Sequence, residues 1–228
     1  MSALWQSQVF DPKAEFSIVE RKLPHWSQAG TLCFITWRTA DSIPASVLRR
    51  WHADREAWLS KHGIEPDDSN WKSRLLQLEP ELRSEFIRTF SDRWHQHLDT
   101  CSGKCVLRQV TISKIVADSL LKFDGQRYEL TDFVIMPNHI HLIAAFDSEE
   151  RMLAQCESWK HYTARRINAE LGQSGTFWQQ DGFDHLVRSE DDFQEFRKYL
   201  AENPTNANLS PTEFRHFSKP QSGEVHPK

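Results

Sequence analysis

No apolar run in this sequence is long enough to span a bilayer, and Met1 is not followed by a basic-then-apolar segment. Both absences point to a cytoplasmic protein with no membrane partner. Cysteine is scarce: Cys33, Cys101, Cys105 and Cys156 are four in 228 residues, with no C-x-x-C pair. In a cytosolic chain they are expected to be reduced, so no disulfide framework is implied. Positive charge is not in excess. The formal net charge of −4 argues against coating nucleic acid by bulk charge, though it leaves room for a local basic face. There is no internal repeat and no low-complexity segment.

Aromatic residues, by contrast, are plentiful: nine tryptophans and fourteen phenylalanines. They suit a core, and they also suit stacking on unpaired bases. The stretch "HQHLDTCSGKC" (95–105) holds His and Cys side chains, yet its spacing fits no standard zinc signature. A helix end, a Ser-Gly turn and a buried Cys105 account for it as well.

Alternation and period divide the chain. "TLCFITWRT" (31–39) alternates as a strand. Residues 42–63 read as a helix with Pro44 in its first turn, 64–79 as irregular, and 80–99 and 111–123 as two more helices. "QRYELTDFVIM" and "HIHLIAAF" form a hairpin around Pro137-Asn138. Residues 149–172 make a long helix, 183–189 a last strand, and 190–204 a final helix with an acidic start, expected to stop before Pro204. This order predicts an α+β fold. It is a ferredoxin-like (split β-α-β) antiparallel sheet with helices on one face, plus inserted and C-terminal helices. Residues 1–29 read as an N-terminal arm, 30–209 as the domain, and 210–228 as a loose C-terminal tail.

Within "MPNHIHLIAAF" (136–146), His139 and His141 are two apart on a strand, so both project from one face while Ile140 points to the other. Two imidazoles side by side are natural ligands for one metal ion; two half-exposed strand histidines are the plain alternative. The other H-x-H, His95-Gln96-His97, falls in a helical pattern, where residues two apart point roughly 200° apart. The next helix carries "CESWKHYTARRIN" (156–168), with Tyr162 among Lys160, His161, Arg165 and Arg166. Such cations can hold a phosphate while a phenol attacks it. A basic solvated face with a tyrosine at its border fits the same string.

"MPNHIH", then "WKHYTARRIN", then "GTFWQQDGFDHLVRSEDDFQEFRKYLAENPTNANL" together resemble the single-tyrosine HUH transposases, and among them the REP-associated tyrosine transposases. "GKCVLR" and "FDGQRYEL" are similar to that family too, and the likeness runs from about Gly30 to Leu209. The resemblance implies that His139 and His141 bind a divalent metal, Mg²⁺ or Mn²⁺, with Mn²⁺ suiting imidazole better. It implies that Tyr162 attacks phosphorus, leaving a 5′-phosphotyrosine link and a free 3′-OH. The DNA implied is single-stranded, beside a hairpin, and the protein a monomer or homodimer. Lys160, Arg165, Arg166 and Trp178 are the expected nucleic-acid contacts. One position departs from the pattern. The family takes a third metal ligand, Gln or Asn, one helical turn after the tyrosine, and here that residue is Arg166, a cation that cannot ligate. Asn168 or water would then complete the shell, and Arg166→Gln would restore the ligand type. Two other functions stay open: a non-catalytic single-strand binding module of the same fold using Trp178, Phe177 and the basic helix as platform and cradle, and a metal-dependent hydrolase using His139, His141 and His185.

Overall fold

The computed structural model describes residues 17–20, 24–27, 30–68, 70–99, 101–179 and 183–220. The chain divides into two compact units, residues 41–104 and a larger unit formed by 1–40 with 105–228.

The larger unit is built on a five-stranded sheet. Its strands are β3 (Leu32–Arg38), β4 (Glu129–Ile135), β5 (His139–Ala145), β6 (Phe183–Leu186) and β7 (Arg215–Ser218), in the spatial order β6-β3-β5-β4-β7. Every neighbouring pair is antiparallel. Because β5 lies between β3 and β4, those two run parallel, and β5 and β6 do likewise across β3. Those are the two split β-α-β units of a ferredoxin-like fold, as the element order predicts. Preceding them, β1 (Ser17–Glu20) and β2 (Pro24–Ser27) pair as a small antiparallel sheet within the stretch expected to be an arm. No helix among the described residues is long and apolar enough to cross a membrane.

Strand alternation sorts the core into two layers. Ile140, Leu142 and Ala144 of β5 face α4 (Val110–Leu121) and α5 (Glu149–Glu170), packing with Ile112, Val116, Leu120, Trp159 and Ile167. Ile143 and Ala145 face the other way, with Leu32, Phe34 and Val134, under Phe193 and Leu200 of α6 (Glu190–Asn206). The sheet is therefore covered on both faces, the crossover helices on one and the C-terminal helix on the other. That explains why β5 reads as a continuous apolar run after its histidines.

Helix α6 starts where its sequence says it should: Ser189 caps it by accepting from Asp192 N at 3.0 Å, and Glu190, Asp191 and Asp192 fill its first turn. It does not stop before Pro204, however, but runs on to Asn206. A proline in the last turn forgoes a single backbone bond, which the end of a helix tolerates more readily than its middle.

The C-terminal segment differs from the expected loose tail. Arg215–Ser218 forms β7 and pairs with β4, with Phe217 stacked on Phe133 at 5.2 Å. Beside it, Asp132 is buried at 2% exposure and accepts from Arg197 Nε of α6 at 3.0 Å and from the Ser218 hydroxyl. This pair ties α6 to the sheet edge. Replacing Arg197 with alanine would leave a buried carboxylate without its cation. The expected cost is about 3 kcal/mol, measurable as a lowered urea midpoint with unchanged slope. A loss below about 0.5 kcal/mol would mean that the contact contributes little to holding α6.

The smaller unit holds α1 (Ala45–Lys61), α2 (Trp71–Leu76) and α3 (Pro80–Asp99). Helix α2 lies in the stretch expected to be irregular. Trp58 anchors the unit: its Nε1 donates to Glu85 at 3.0 Å, and its ring stacks on His62 and meets Phe86 edge-on. The unit's two ends meet where Lys104 N donates to Asp41 at 2.8 Å. Gly103 is required there, since its φ is +95° and a Cβ would lie 2.7 Å from Asp41 O.

Candidate active site

Two adjacent strands carry the polar residues of the site. In the β3–β5 register, Thr36 sits opposite His141 and Arg38 opposite His139. All four share the face covered by α6, because they keep step with Phe34 and Ile143. His139 and His141 are both fully buried, at 0% exposure, and their ring centroids lie 4.7 Å apart. They are thus not half-exposed strand histidines. Each ring is held through Nδ1. His139 Nδ1 donates to Asn138 Oδ1 at 2.7 Å, and His141 Nδ1 is hydrogen bonded to Thr36 Oγ1 at 2.6 Å.

Helix α6 brings a tyrosine to this pair. The Tyr199 hydroxyl lies 3.5 Å from His141 Nε2, an approach rather than a strong hydrogen bond, and the two rings meet edge-on at 5.3 Å. Phe34 stacks on His141 at 5.3 Å and on Phe196 at 4.6 Å, and takes the edge of Tyr199 at 6.0 Å. This aromatic wall sets the height of Tyr199 above the strand. Four residues further, Asn203 comes round to the same side of α6 and is buried at 1% exposure.

This donor set suits a divalent ion. A metal-bound imidazole is oriented through one ring nitrogen and coordinates through the other. Nδ1 is the hydrogen-bonded atom in both rings, so Nε2 is the one that could coordinate an ion, and Asn203 is a candidate oxygen donor on the helix that covers this face. Among the described residues, no group of three His, Cys, Asp or Glu side chains is placed to hold a metal. The side chains of His95, His97 and His185 lie outside the described residues.

Tyr162 is not brought to the histidines. It lies on α5, whose buried side (Trp159, Thr163, Ile167) packs on the opposite face of the sheet. Its ring is 45% exposed, and Arg166 Nη1 donates to its hydroxyl at 3.3 Å. The expectation that Tyr162 joins His139 and His141 therefore fails on topology: the sheet stands between them. Arg165 and Arg166 are exposed on that same helix, and Lys160 Nζ donates to Gln179 O at 3.4 Å. Arg166→Gln cannot supply a ligand from there, nor can Asn168, whose amide donates to Gly175 O at 2.9 Å. Trp178 is no stacking platform either. It is buried at 4% exposure, donates Nε1 to Thr163 at 2.8 Å and stands edge-on to Trp37; Phe177 is buried beside it. The remaining tyrosine, Tyr128, is buried with its hydroxyl donating to Leu120 O at 2.6 Å, and burial pushes its ionisation up.

Asn203 is the residue that sequence reasoning passed over, while Tyr199 reads from the sequence as packing and as the nucleophile only if Tyr162 is not. The signal was present: Tyr199 and Asn203 stand one helical turn apart, the Tyr-to-Asn/Gln spacing that Tyr162 and Arg166 fail to supply. The apolar neighbours Phe193, Phe196 and Leu200 disguised Tyr199 as packing.

No curated protein matches the chain. A solved structure of a REP-associated tyrosine transposase bound to a REP hairpin aligns over 92% of this chain and 99% of its own, at 12% identity and a TM-score of 0.44. The family model for IS200-like transposases matches residues 109–203, a span that runs from α4 through both histidines to Asn203. The segment that carries β4, β5, α5, β6 and the body of α6 is thus the part of the chain that is similar to the IS200-like transposases.

Proposed function

We propose that this chain cuts and rejoins single-stranded DNA beside hairpins through a covalent tyrosine link, with Tyr199 as the nucleophile. One observation carries the reading: the Tyr199 hydroxyl stands 3.5 Å from His141 in a buried pair of oriented imidazoles, with Asn203 one turn further along the helix. The match of residues 109–203 to the IS200-like transposase model supports the reaction class, and the family resemblance supports the substrate class.

In this reaction Tyr199 Oη attacks phosphorus in line with the bond to the 3′ oxygen. A P–Oη bond forms as the P–O3′ bond breaks. The phenol releases its proton to solvent, and the departing 3′ oxygen takes one up. The products are a 5′-phosphotyrosine and a free 3′-OH. One phosphoester bond replaces another, so the 3′-OH of a second end can reverse the step without a nucleotide cofactor. A divalent ion, Mn²⁺ in preference to Mg²⁺, would polarise the phosphate and ease departure of the 3′ oxygen when held by His139, His141 and Asn203. Phe34 and His141 restrict the Tyr199 ring, so little rotational freedom is lost when it meets the strand. Thr36, both histidines, Tyr199 and Asn203 all belong to one chain, so a monomer carries the whole set.

The direct experiment incubates labelled hairpin-bearing single strands with the protein and Mn²⁺, then resolves them on a denaturing gel. A protein–DNA adduct that EDTA prevents is the expected result. Cleavage without an adduct would turn the reading to a hydrolase, and binding without cleavage to a binding module. The module loses its stacking platform, because Trp178 and Phe177 lie in the core.

Lys160, Arg165 and Arg166 remain DNA-backbone contacts in this reading, but on the α5 face and away from the reacting phosphate. Neutralising Arg165 and Arg166 together should weaken binding across sequences. It should reduce the slope of log K against log salt by about 1.4 to 1.8. The cleavage rate of bound complexes should stay unchanged. An unaltered salt slope would place the DNA elsewhere.

A further inference from the structure

We propose that Thr36 and Asn138 are positioning residues that select the ring tautomer of the two histidines and thereby set the metal affinity of the site. The inference rests on the metal reading above and adds the residues that make the pair a coordinating pair. A neutral imidazole has one N–H and one lone pair, and which nitrogen carries the proton depends on its surroundings. A ring can coordinate through Nε2 only if the proton sits on Nδ1. Asn138 Oδ1 is purely an acceptor, and at 2.7 Å it requires the proton on His139 Nδ1. Thr36 Oγ1, 2.6 Å from His141 Nδ1, can accept in the same way.

Three features set these two residues apart from ordinary strand polars. Both are buried, Thr36 at 2% and Asn138 at 0% exposure, so water is not at hand to hold the rings instead. They arrive from different directions: Thr36 from β3 as the direct cross-strand partner of His141, and Asn138 from the turn before β5. Finally, their supports are themselves fixed. Asn138 O accepts from Thr39 N at 2.8 Å and from Thr39 Oγ1 at 3.1 Å, clamping the turn to the end of β3. One strand end thus supports both rings, Thr36 directly and Thr39 through Asn138.

Two measurements on the DNA-free, full-length protein test this. First, ¹⁵N spectra of the histidine rings in metal-free wild-type protein should show His139 and His141 as Nδ1–H tautomers. A spectrum with the proton on Nε2 in either ring overturns the proposal without any variant. Second, Mn²⁺ affinity is read from the paramagnetic resonance of the free ion. Thr36→Val and Asn138→Ala should each bind Mn²⁺ about 10- to 100-fold more weakly. Thr36→Ser and Asn138→Asp, which keep an acceptor oxygen, should stay within about threefold of wild type by the same reasoning. Wild-type affinity in both Thr36→Val and Asn138→Ala, while His141→Gln loses binding, would sink this inference and leave the metal reading standing. Mn²⁺ binding that His141→Gln does not weaken would sink both. Should Thr36→Val fail to fold, the Asn138 variants and the wild-type spectrum decide the matter.

Discussion

Tyr199→Phe protein is expected to form no covalent adduct with hairpin-bearing single strands, while Tyr162→Phe protein forms it as wild type does. The substitution removes one oxygen and keeps the ring. The contacts of that ring with Phe34 and His141 therefore survive, and with them the packing of α6. DNA binding should be retained. The loss in cleavage should be roughly a thousandfold or more, the scale on which deleting a covalent nucleophile acts. Tyr162→Phe deletes only a hydroxyl that accepts from Arg166 on an exposed helix face, where such changes cost little. Labelled DNA on a denaturing protein gel reads both variants at once. An adduct that persists in Tyr199→Phe and vanishes in Tyr162→Phe would return the nucleophile to α5 and require a site the sheet topology does not build.

His139→Gln and His141→Gln should each abolish Mn²⁺ binding and lower adduct formation by roughly a hundredfold or more, as when a preorganised charge-stabilising group is lost. Removing the ion with EDTA should reproduce the loss in wild type, and added Mn²⁺ should restore it. Glutamine is the better probe than alanine. From the sequence, an alanine at either position would be expected to leave the fold intact, on the view that neither histidine is a core residue. Both rings are in fact fully buried. At position 141 alanine would leave a cavity beside Phe34 and Tyr199, with a cost on the order of 2 kcal/mol. A drop in activity would then mix lost metal with a loosened α6. Cleavage that survives EDTA and both glutamine variants would remove the metal from the reaction.

Much of the architecture could be read from local pattern. Strand β3, the β4–β5 hairpin and helices α3 to α6 follow from alternation, from helical spacing and from caps such as Ser189 with its acidic first turn. Those signals are local, and they specify elements well. The last strand was invisible for the opposite reason. Arg215–Ser218 is polar and short, and it becomes a strand only because Phe217 finds Phe133 and Ser218 finds the Asp132–Arg197 pair. The same holds for β1 and β2, whose sequences carry little periodicity.

The site was legible in halves. His139-x-His141 on a strand determined by itself that the two imidazoles share a face, since successive residues of a strand alternate sides. The sequence likewise contained the Tyr199-to-Asn203 spacing on one helix face. It could not say which helix meets the histidines. Order along the chain favours α5, the helix directly after β5, and its cations made Tyr162 attractive. Only the tertiary structure decides the matter. A crossover helix and a helix that follows the last strand can lie on opposite faces of one sheet. Here α5 packs on Ile140 and Leu142 while α6 packs on the side of Ile143. A side chain reaches the neighbour that shares its face of the sheet, however far away along the chain, and His141 and Tyr199 are 58 residues apart.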